Sequence, residues 1–206
     1  MTQTLPPPTG TISDSLADLR QGTWLIDPRH SSVHFEVAHA YIARIHGIIP
    51  VSGGAISVGE DLANSSVNLA FEPAGVYTGL GERDDRLRGP NFFDVDTFPV
   101  WSFRSTAISG KGHDLLVRGD LTVHGETAAV QFDAQFTGVD ESRDGAPVAG
   151  FIAKAKIDRR DFGLTWTAEQ AGSHVRTGHT VSVDIYLVAS PVGPSWEDVV
   201  VEVFDV

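Results

Sequence analysis

The feature of the sequence that most constrains its fold is a short stretch in which apolar and polar residues alternate. In Ser32–His39, the apolar residues Val33, Phe35 and Val37 occupy every second position. Successive side chains of a β-strand point to opposite faces of the sheet. This spacing therefore predicts a strand with one buried face and one solvated face.

Similar stretches recur along the chain, and Gly, Pro, Asn and Asp residues separate them. They are Arg44–Val51, Ala55–Val58, Ser66–Glu72, Val100–Ser109, Leu115–Val123, Ala129–Gly138, Val148–Ile157 and Thr180–Val188. Short strands at this spacing are typical of an antiparallel meander. About eight of them can close into a barrel whose interior holds side chains or one small ligand. We therefore predict an all-β fold, an extended antiparallel β-barrel of about eight strands.

Three segments interrupt the alternation. Gly53 and Gly54 indicate a turn or a bulge. The segment Arg83–Gly89 lacks β-branched residues and ends before Pro90, so it predicts a short helix or turn at one mouth of the barrel. A second short helical or looped piece is predicted between Trp166 and Gly178.

The two ends of the chain differ in composition from its middle. Residues 1–21 contain three consecutive prolines and few apolar residues, which predicts a flexible N-terminal arm. Residues 22–190 hold the predicted barrel. Residues 191–206 contain four acidic and no basic side chains and are predicted to form an acidic C-terminal tail.

Composition excludes several functional classes. The net charge is −12, from 27 acidic against 15 basic residues, and no Lys/Arg run opposes it, so a nucleic-acid partner is not expected. No cysteine is present, which excludes disulfides and thiolate chemistry. No apolar stretch reaches the roughly 18 residues of a transmembrane helix, and no export leader is recognisable. We expect a cytoplasmic protein without a transmembrane segment.

The segment that is richest in chemistry places charged residues directly before aromatic ones. Arg83, Asp84, Asp85, Arg86 and Arg88 lie within six residues of one another, and the aromatic residues follow at Phe92, Phe93, Phe98, Trp101 and Phe103. Such a segment suits an amphiphile, with a polar group held at a mouth and an apolar tail inside. It equally suits a charged network that pins a loop over a core plug.

Patterns for catalysis or metal binding are weak. His34 and His39 are five residues apart and should face opposite sides of their strand, so the histidines do not predict a metal site. Asp84 and Asp85 are adjacent and do not suit a paired-carboxylate mechanism. The segment Ile157–Gly163 carries Asp158 to Asp161 at a strand end, which predicts an ion-paired corner with Phe162 closing the bore. We expect neither catalytic nor metal-ligating residues.

Five ordered motifs resemble the YceI-like polyisoprenoid-binding proteins, whose fold is an extended lipocalin-like barrel. The resemblance covers about Thr23 to Val188. Its marks are W-x-I-D-P-x-H-S from Trp24 followed by F-x-V-x-H from Phe35, R-D-x-x-L-R-x-P-x-F-F-D-V from Arg83, F-P at Phe98, G-D-L-T-V-H-G from Gly119, and I-D-R-R-D-F-G from Ile157.

The resemblance implies a binding protein, not an enzyme, that needs no cofactor and holds an isoprenoid lipid such as a polyprenyl phosphate or an isoprenoid quinone. It also implies a possible homodimer. The head of the lipid is expected near His46, Asp84, Arg86 and Arg88. The residues expected along its tail are His39, Phe35, Phe92, Phe93, Trp101, Phe103 and Phe162.

Three departures from the family pattern bear on the head group. Arg86 stands where the motif usually has His, Gly89 where it has Ser, and His46 where an Arg or Lys precedes the glycine. His46 is mostly neutral at pH 7, so these changes favour a quinone or another weakly polar head over a diphosphate. Two alternatives stay open: a protein-interaction module with a packed barrel, and a small enzyme that uses a histidine such as His39 on a hydrophobic substrate.

Overall fold

In a computed structural model of the protein, the structure describes residues 19–40, 42–142, 145–166 and 177–192. Nine strands lie within these residues: β1 Gly22–Ile26, β2 Ser32–His39, β3 Ala43–Val58, β4 Ser66–Phe71, β5 Trp101–Lys111, β6 Asp114–Val123, β7 Glu126–Glu141, β8 Pro147–Asp158 and β9 Thr177–Pro191. One α-helix, α1, spans Gly81–Arg88 in the same described part of the chain. Short 3-10 helices occupy Leu62–Asn64, Pro73–Gly75 and Arg159–Phe162.

Eight of the strands close into one antiparallel barrel. Their hydrogen-bonded order is β3-β2-β9-β8-β7-β6-β5-β4, and pairing of β3 with β4 completes the ring. The ninth strand, β1, pairs with the ends of β3 and β9. The predicted all-β, eight-stranded barrel with a short helix is confirmed.

Strand β3 joins two stretches that the sequence presents as separate strands. It runs for 16 residues through both Arg44–Val51 and Ala55–Val58. Its pairing with β4 shifts register between Val51 and Gly53, so the glycine pair marks an irregularity inside one long strand. The bend that results lets one strand pair with β2 along one part and with β1 and β4 along the other.

Strand β1 is absent from the predicted strands. Its sequence does not alternate, because Trp24, Leu25 and Ile26 are three consecutive apolar residues. It is nevertheless well anchored, because Trp24 is 1% exposed and donates from Nε1 to the carbonyl oxygen of Arg20 at 2.9 Å.

The predicted short helix is present as α1. The predicted piece between Trp166 and Gly178 lies largely outside the described residues, as do residues 1–18 of the predicted arm and residues 193–206 of the predicted tail. Across the described ranges, no helix combines the length and apolar character that crossing a membrane requires.

Candidate functional site

The interior of the barrel contains a cavity of about 520 Å³. This volume falls within the range of about 300–1,000 Å³ that is usual for small-molecule sites. Most of its wall is aliphatic or aromatic. Seven of the predicted ligand-binding residues line it, namely Phe35, His39, Arg86, Phe92, Phe93, Trp101 and Phe162.

Alternation along the strands places these side chains. On β2, the inward positions are Val33, Phe35, Val37 and His39, all of which line the cavity. His34 lies on the other face, where its ring meets Tyr186 edge to face. The same period of two aligns inward residues on β9, so neighbouring strands build one continuous apolar wall.

An aromatic cluster lines one end of the cavity, beside α1, residues 89–93 and the 3-10 turn Arg159–Phe162. Phe93 packs edge to face against Trp101, with ring centroids 4.7 Å apart. Phe92 packs against Phe93 at 5.5 Å and against Trp166 at 5.9 Å. Such contacts add stability beyond that of burial alone. The two adjacent phenylalanines therefore form part of the cavity wall at this end.

Asp84 is 3% exposed and faces the chain before the helix, away from the cavity. Its carboxylate accepts hydrogen bonds from the backbone N–H of Thr78 at 3.0 Å and from the hydroxyl of the same residue. Arg83 donates to the Thr78 hydroxyl at 2.7 Å and to its carbonyl oxygen at 2.8 Å. Asp84 and Arg83 therefore fix the start of α1 to Thr78.

Arg88 makes a similar connection at the other end of the helix. Its guanidinium donates to the carbonyl oxygens of Ala74 at 2.7 Å and Val76 at 2.9 Å, and it lies 3.0 Å from Asp85. Arg88 does not line the cavity. The charged segment thus combines both interpretations: Asp84 and Arg88 pin a loop, while Arg86 and the aromatic residues face the bore.

His46 and Phe103 also lie apart from the predicted site. The side chain of His46 is 70% exposed and sits 3.7 Å from Glu36 on the outer face of the barrel. Phe103 lines a second, smaller cavity of about 80 Å³ that adjoins the first. The predicted head-group cluster of His46, Asp84, Arg86 and Arg88 is therefore not brought together around the cavity: among these four, Arg86 alone lines it.

A charged residue that lines the cavity and that the sequence did not assign to the site is Arg159. The predicted ion-paired corner is present, because Arg160 pairs with Asp158 on the outside. Arg159 instead points inward, is 4% exposed and lines the cavity. No signal in the sequence distinguishes Arg159 from Arg160, because the two arginines stand side by side between Asp158 and Asp161.

Electrostatics at this corner follow from burial and pairing. Hydrogen bonds from Arg160 hold the pKa of the Asp158 carboxyl well below its usual range. Desolvation lowers the pKa of Arg159, although an arginine stays charged at neutral pH. No cluster of three or more His, Asp or Glu side chains suited to a metal ion occurs within the described ranges.

Comparison with known proteins places the barrel in a family. The YceI-like domain model matches residues 24–189. A UPF0312 protein of Vibrio campbellii is 32% identical over 143 residues, which cover 68% of this chain and 76% of the relative. Protein YceI of Salmonella newport is 30% identical over 148 residues, which cover 71% of this chain and 78% of the relative.

Solved structures share the fold at lower sequence identity. BcnA of Burkholderia cenocepacia superimposes with a TM-score of 0.65 at 21% identity, covering 79% of this chain and 98% of that one. A polyisoprenoid-binding domain from Saccharophagus degradans superimposes with a TM-score of 0.61 at 18% identity, covering 84% of this chain and all of the other. With a family model that matches residues 24–189 and relatives that are 30% and 32% identical, this chain belongs to the YceI-like family.

Proposed function

We propose that this protein binds a long-chain isoprenoid lipid, a quinone or a polyprenyl compound, inside its barrel and carries or sequesters it. The observation that supports the proposal is the apolar cavity of about 520 Å³ within the closed sheet. A solved relative described as a polyisoprenoid-binding domain has the same fold. The proposed role is binding without catalysis.

The free energy available from such a site favours a lipid tail. Burial of one methylene group contributes about 0.8 kcal/mol, so a five-carbon isoprene unit contributes on the order of 4 kcal/mol before entropic costs. Several units supply the affinity of a stable complex. The residues that we propose to contact the tail are the rings that line the cavity: Phe35, Phe92, Phe93, Trp101 and Phe162.

The alternative of a packed interaction module predicts a bore filled by bulky side chains. The open volume between β2, β6 and β9 favours a ligand instead. The enzyme alternative rests on His39, which does line the cavity. Within the described part of the chain, Nδ1 of His39 has no hydrogen-bond partner, so no carboxylate orients the ring as a catalytic base.

Native mass spectrometry of gently purified protein, combined with organic extraction, tests the proposal. We expect a stoichiometric long-chain ligand, and uptake of added quinones or polyprenyl phosphates by stripped protein. A protein that carries no such ligand and takes up none of the added lipids would overturn the proposal.

A cavity-filling variant makes the test specific to the bore. Leu121 lines the cavity on β6, and Leu121→Trp should weaken uptake by at least about tenfold, because the larger ring occupies part of the volume that the lipid tail would fill. Ser102→Trp, on the exposed face of the neighbouring strand β5, is the matched control and should leave uptake unchanged.

A further inference from the structure

Three buried side-chain nitrogen atoms in the described structure have no hydrogen-bond partner: His39 Nδ1, Trp101 Nε1 and Arg159 Nη2. All three side chains line the same cavity. A buried polar atom that lacks a partner is costly and uncommon in native proteins. Three of them on side chains that line one apolar cavity indicate that its occupant carries hydrogen-bond acceptors.

Arg159 is the strongest evidence of the three, because hydrogen bonds from Nε and Nη1 hold its guanidinium in place. Nε donates to the carbonyl oxygen of Gly178 at 3.0 Å, and Nη1 donates to the carbonyl oxygens of Leu164 and Trp166. These acceptors orient the group but carry no charge. Nη2 is left without a hydrogen-bond partner, on a side chain that lines the cavity.

Among the described residues, no carboxylate forms an ion pair with the Arg159 guanidinium, although the charge of Asp158 acts on it from a distance. The nearest carboxylate in sequence, that of Asp158, is occupied by Arg160, whose Nε lies 2.9 and 3.1 Å from its two oxygens. Phe92 offers only a ring face, with its centroid 6.0 Å from the Arg159 guanidinium carbon. A buried cation of this kind is strongly stabilised by an anion.

The other charged residues of the cavity wall also favour an anionic ligand. Its described lining residues include Arg83, Arg86 and Arg159 but no Asp or Glu. This contrasts with the whole chain, in which acidic residues outnumber basic ones by 27 to 15. The cavity is therefore a locally cationic region of an acidic protein, which is the arrangement that retains an anionic amphiphile.

His39 and Arg159 are both anchored to the start of β9. His39 pairs with Thr177 in the β2–β9 ladder, and Arg159 donates to the carbonyl oxygen of Gly178. Both side chains enter the cavity from this region. An imidazole that carries its proton on Nδ1 supplies a second donor to a two-oxygen head group.

We propose that Arg159 and His39 form a head-group subsite for a singly charged carboxylate at the end of a long apolar chain. This rests on the proposed function and names the class of its ligand. Arg159 is the buried arginine of the described cavity wall, since Arg86 is exposed and Arg83 is bonded to Thr78. Its guanidinium neutralises one buried negative charge, whereas the second charge of a phosphate monoester would remain in an apolar wall. The two oxygens of a carboxylate suit the two donors that lack a partner, Arg159 Nη2 and His39 Nδ1.

Ligands with the same tail and different heads test this inference. Geranylgeranoic acid, geranylgeraniol and geranylgeranyl phosphate are titrated into lipid-stripped protein, with binding followed by isothermal calorimetry. We expect the acid to bind at least about tenfold more tightly than the alcohol, as one charge-assisted hydrogen bond predicts. Equal affinity for acid and alcohol, or a preference for the phosphate, would overturn the carboxylate subsite while leaving lipid binding intact. Failure of all three to bind would instead overturn the proposed function.

Variants then assign the preference to the subsite. Arg159→Met should weaken binding of the acid by at least about tenfold and that of the alcohol by less than about threefold. The alcohol thus reports whether the cavity has survived the substitution. Arg159→Lys keeps the charge and should retain part of the preference, and His39→Phe should reduce it by a smaller factor. Arg104→Met, on the outer face of β5, should change neither affinity. An equal loss for acid and alcohol in Arg159→Met would contradict the assignment.

Discussion

The ring of Phe132 meets the ring of Phe103 edge to face, with centroids 5.3 Å apart, at the boundary between the two cavities of the barrel. Phe132 lines both cavities, whose volumes are about 520 and 80 Å³, and Phe103 lines the smaller one. The pair therefore limits how far a chain that enters the larger cavity can extend.

Removal of the Phe132 ring should lengthen the bore. We expect Phe132→Ala to raise affinity for a lipid that is one isoprene unit longer by at least about tenfold relative to the shorter one, because burial of that unit contributes up to about 4 kcal/mol. The variant should also lose about 3–5 kcal/mol of unfolding free energy. Competition between prenols of increasing length measures the shift.

Phe136→Ala provides the control for this prediction. Phe136 lies on the same strand and is 1% exposed, but it lines neither cavity. Its truncation should cost similar stability and leave the preference for chain length unchanged. The interpretation of Phe132 as the boundary would be wrong if both variants shifted the preference equally.

Arg88 should act on stability and not on the choice of head group. Arg88→Met removes the donors to Ala74 and Val76, so it leaves two carbonyl oxygens without their partner at a cost of about 1–3 kcal/mol. We expect faster amide hydrogen exchange in residues 73–78, measured by mass spectrometry. The ratio of affinities for the acid and the alcohol should stay that of the unmutated protein. A change in that ratio would show that Arg88 takes part in binding the head group.

The fold could be predicted from the sequence because the alternation of apolar and polar residues that defines a strand is a local pattern. Alternation in Ser32–His39 predicts both the strand and its buried face, on which Val33, Phe35 and Val37 lie. The glycine pair in β3 was ambiguous, since a turn and a bulge require the same residues.

The site was harder to predict because it depends on partners that are distant in sequence. Arg88 was expected at the lipid head, but its direction is set by carbonyl oxygens 12 and 14 residues earlier. Arg159 was assigned to a surface corner, but Gly163, with φ of 71°, ends its turn and directs the next carbonyl groups towards the guanidinium. Residue type and spacing carry no information on either arrangement.

Gly47 should be needed for the position of the Phe35 ring. A Cβ at Gly47 would lie 2.2 Å from Cζ of Phe35, so Gly47→Ala must push a ring of the cavity wall aside. We expect a loss of about 1–3 kcal/mol in unfolding free energy, measured by urea denaturation, together with weaker lipid binding.

A double variant checks the cause of that loss. Gly47→Ala combined with Phe35→Leu should be less destabilised than the sum of the two single variants, because the shorter side chain relieves the contact. Gly53→Ala is the control for the backbone, since a Cβ there meets nothing within 4 Å. Additive effects of Gly47→Ala and Phe35→Leu would show that the contact with the Phe35 ring does not cause the loss of unfolding free energy.

Asp27 should make the turn between β1 and β2 sensitive to acid. Its carboxylate accepts hydrogen bonds from Arg29 Nε at 3.1 Å and Nη2 at 3.0 Å and lies 2.9 Å from His30 Nδ1. Hydrogen bonds from Arg29, and secondarily from His30, hold the pKa of Asp27 well below its ordinary value of 3.8. Because the folded-state pKa is depressed, the stabilisation is complete above the unfolded value and is lost as pH falls towards the folded one.

Asp27→Asn should therefore lower Tm at pH 7 by more than it does at pH 2.5, measured by circular dichroism. The difference should shrink in high salt, since Arg29 is exposed. Asp120→Asn, at an exposed position on β6, is the control, and an equal effect of Asp27→Asn at both pH values would contradict the role of this turn.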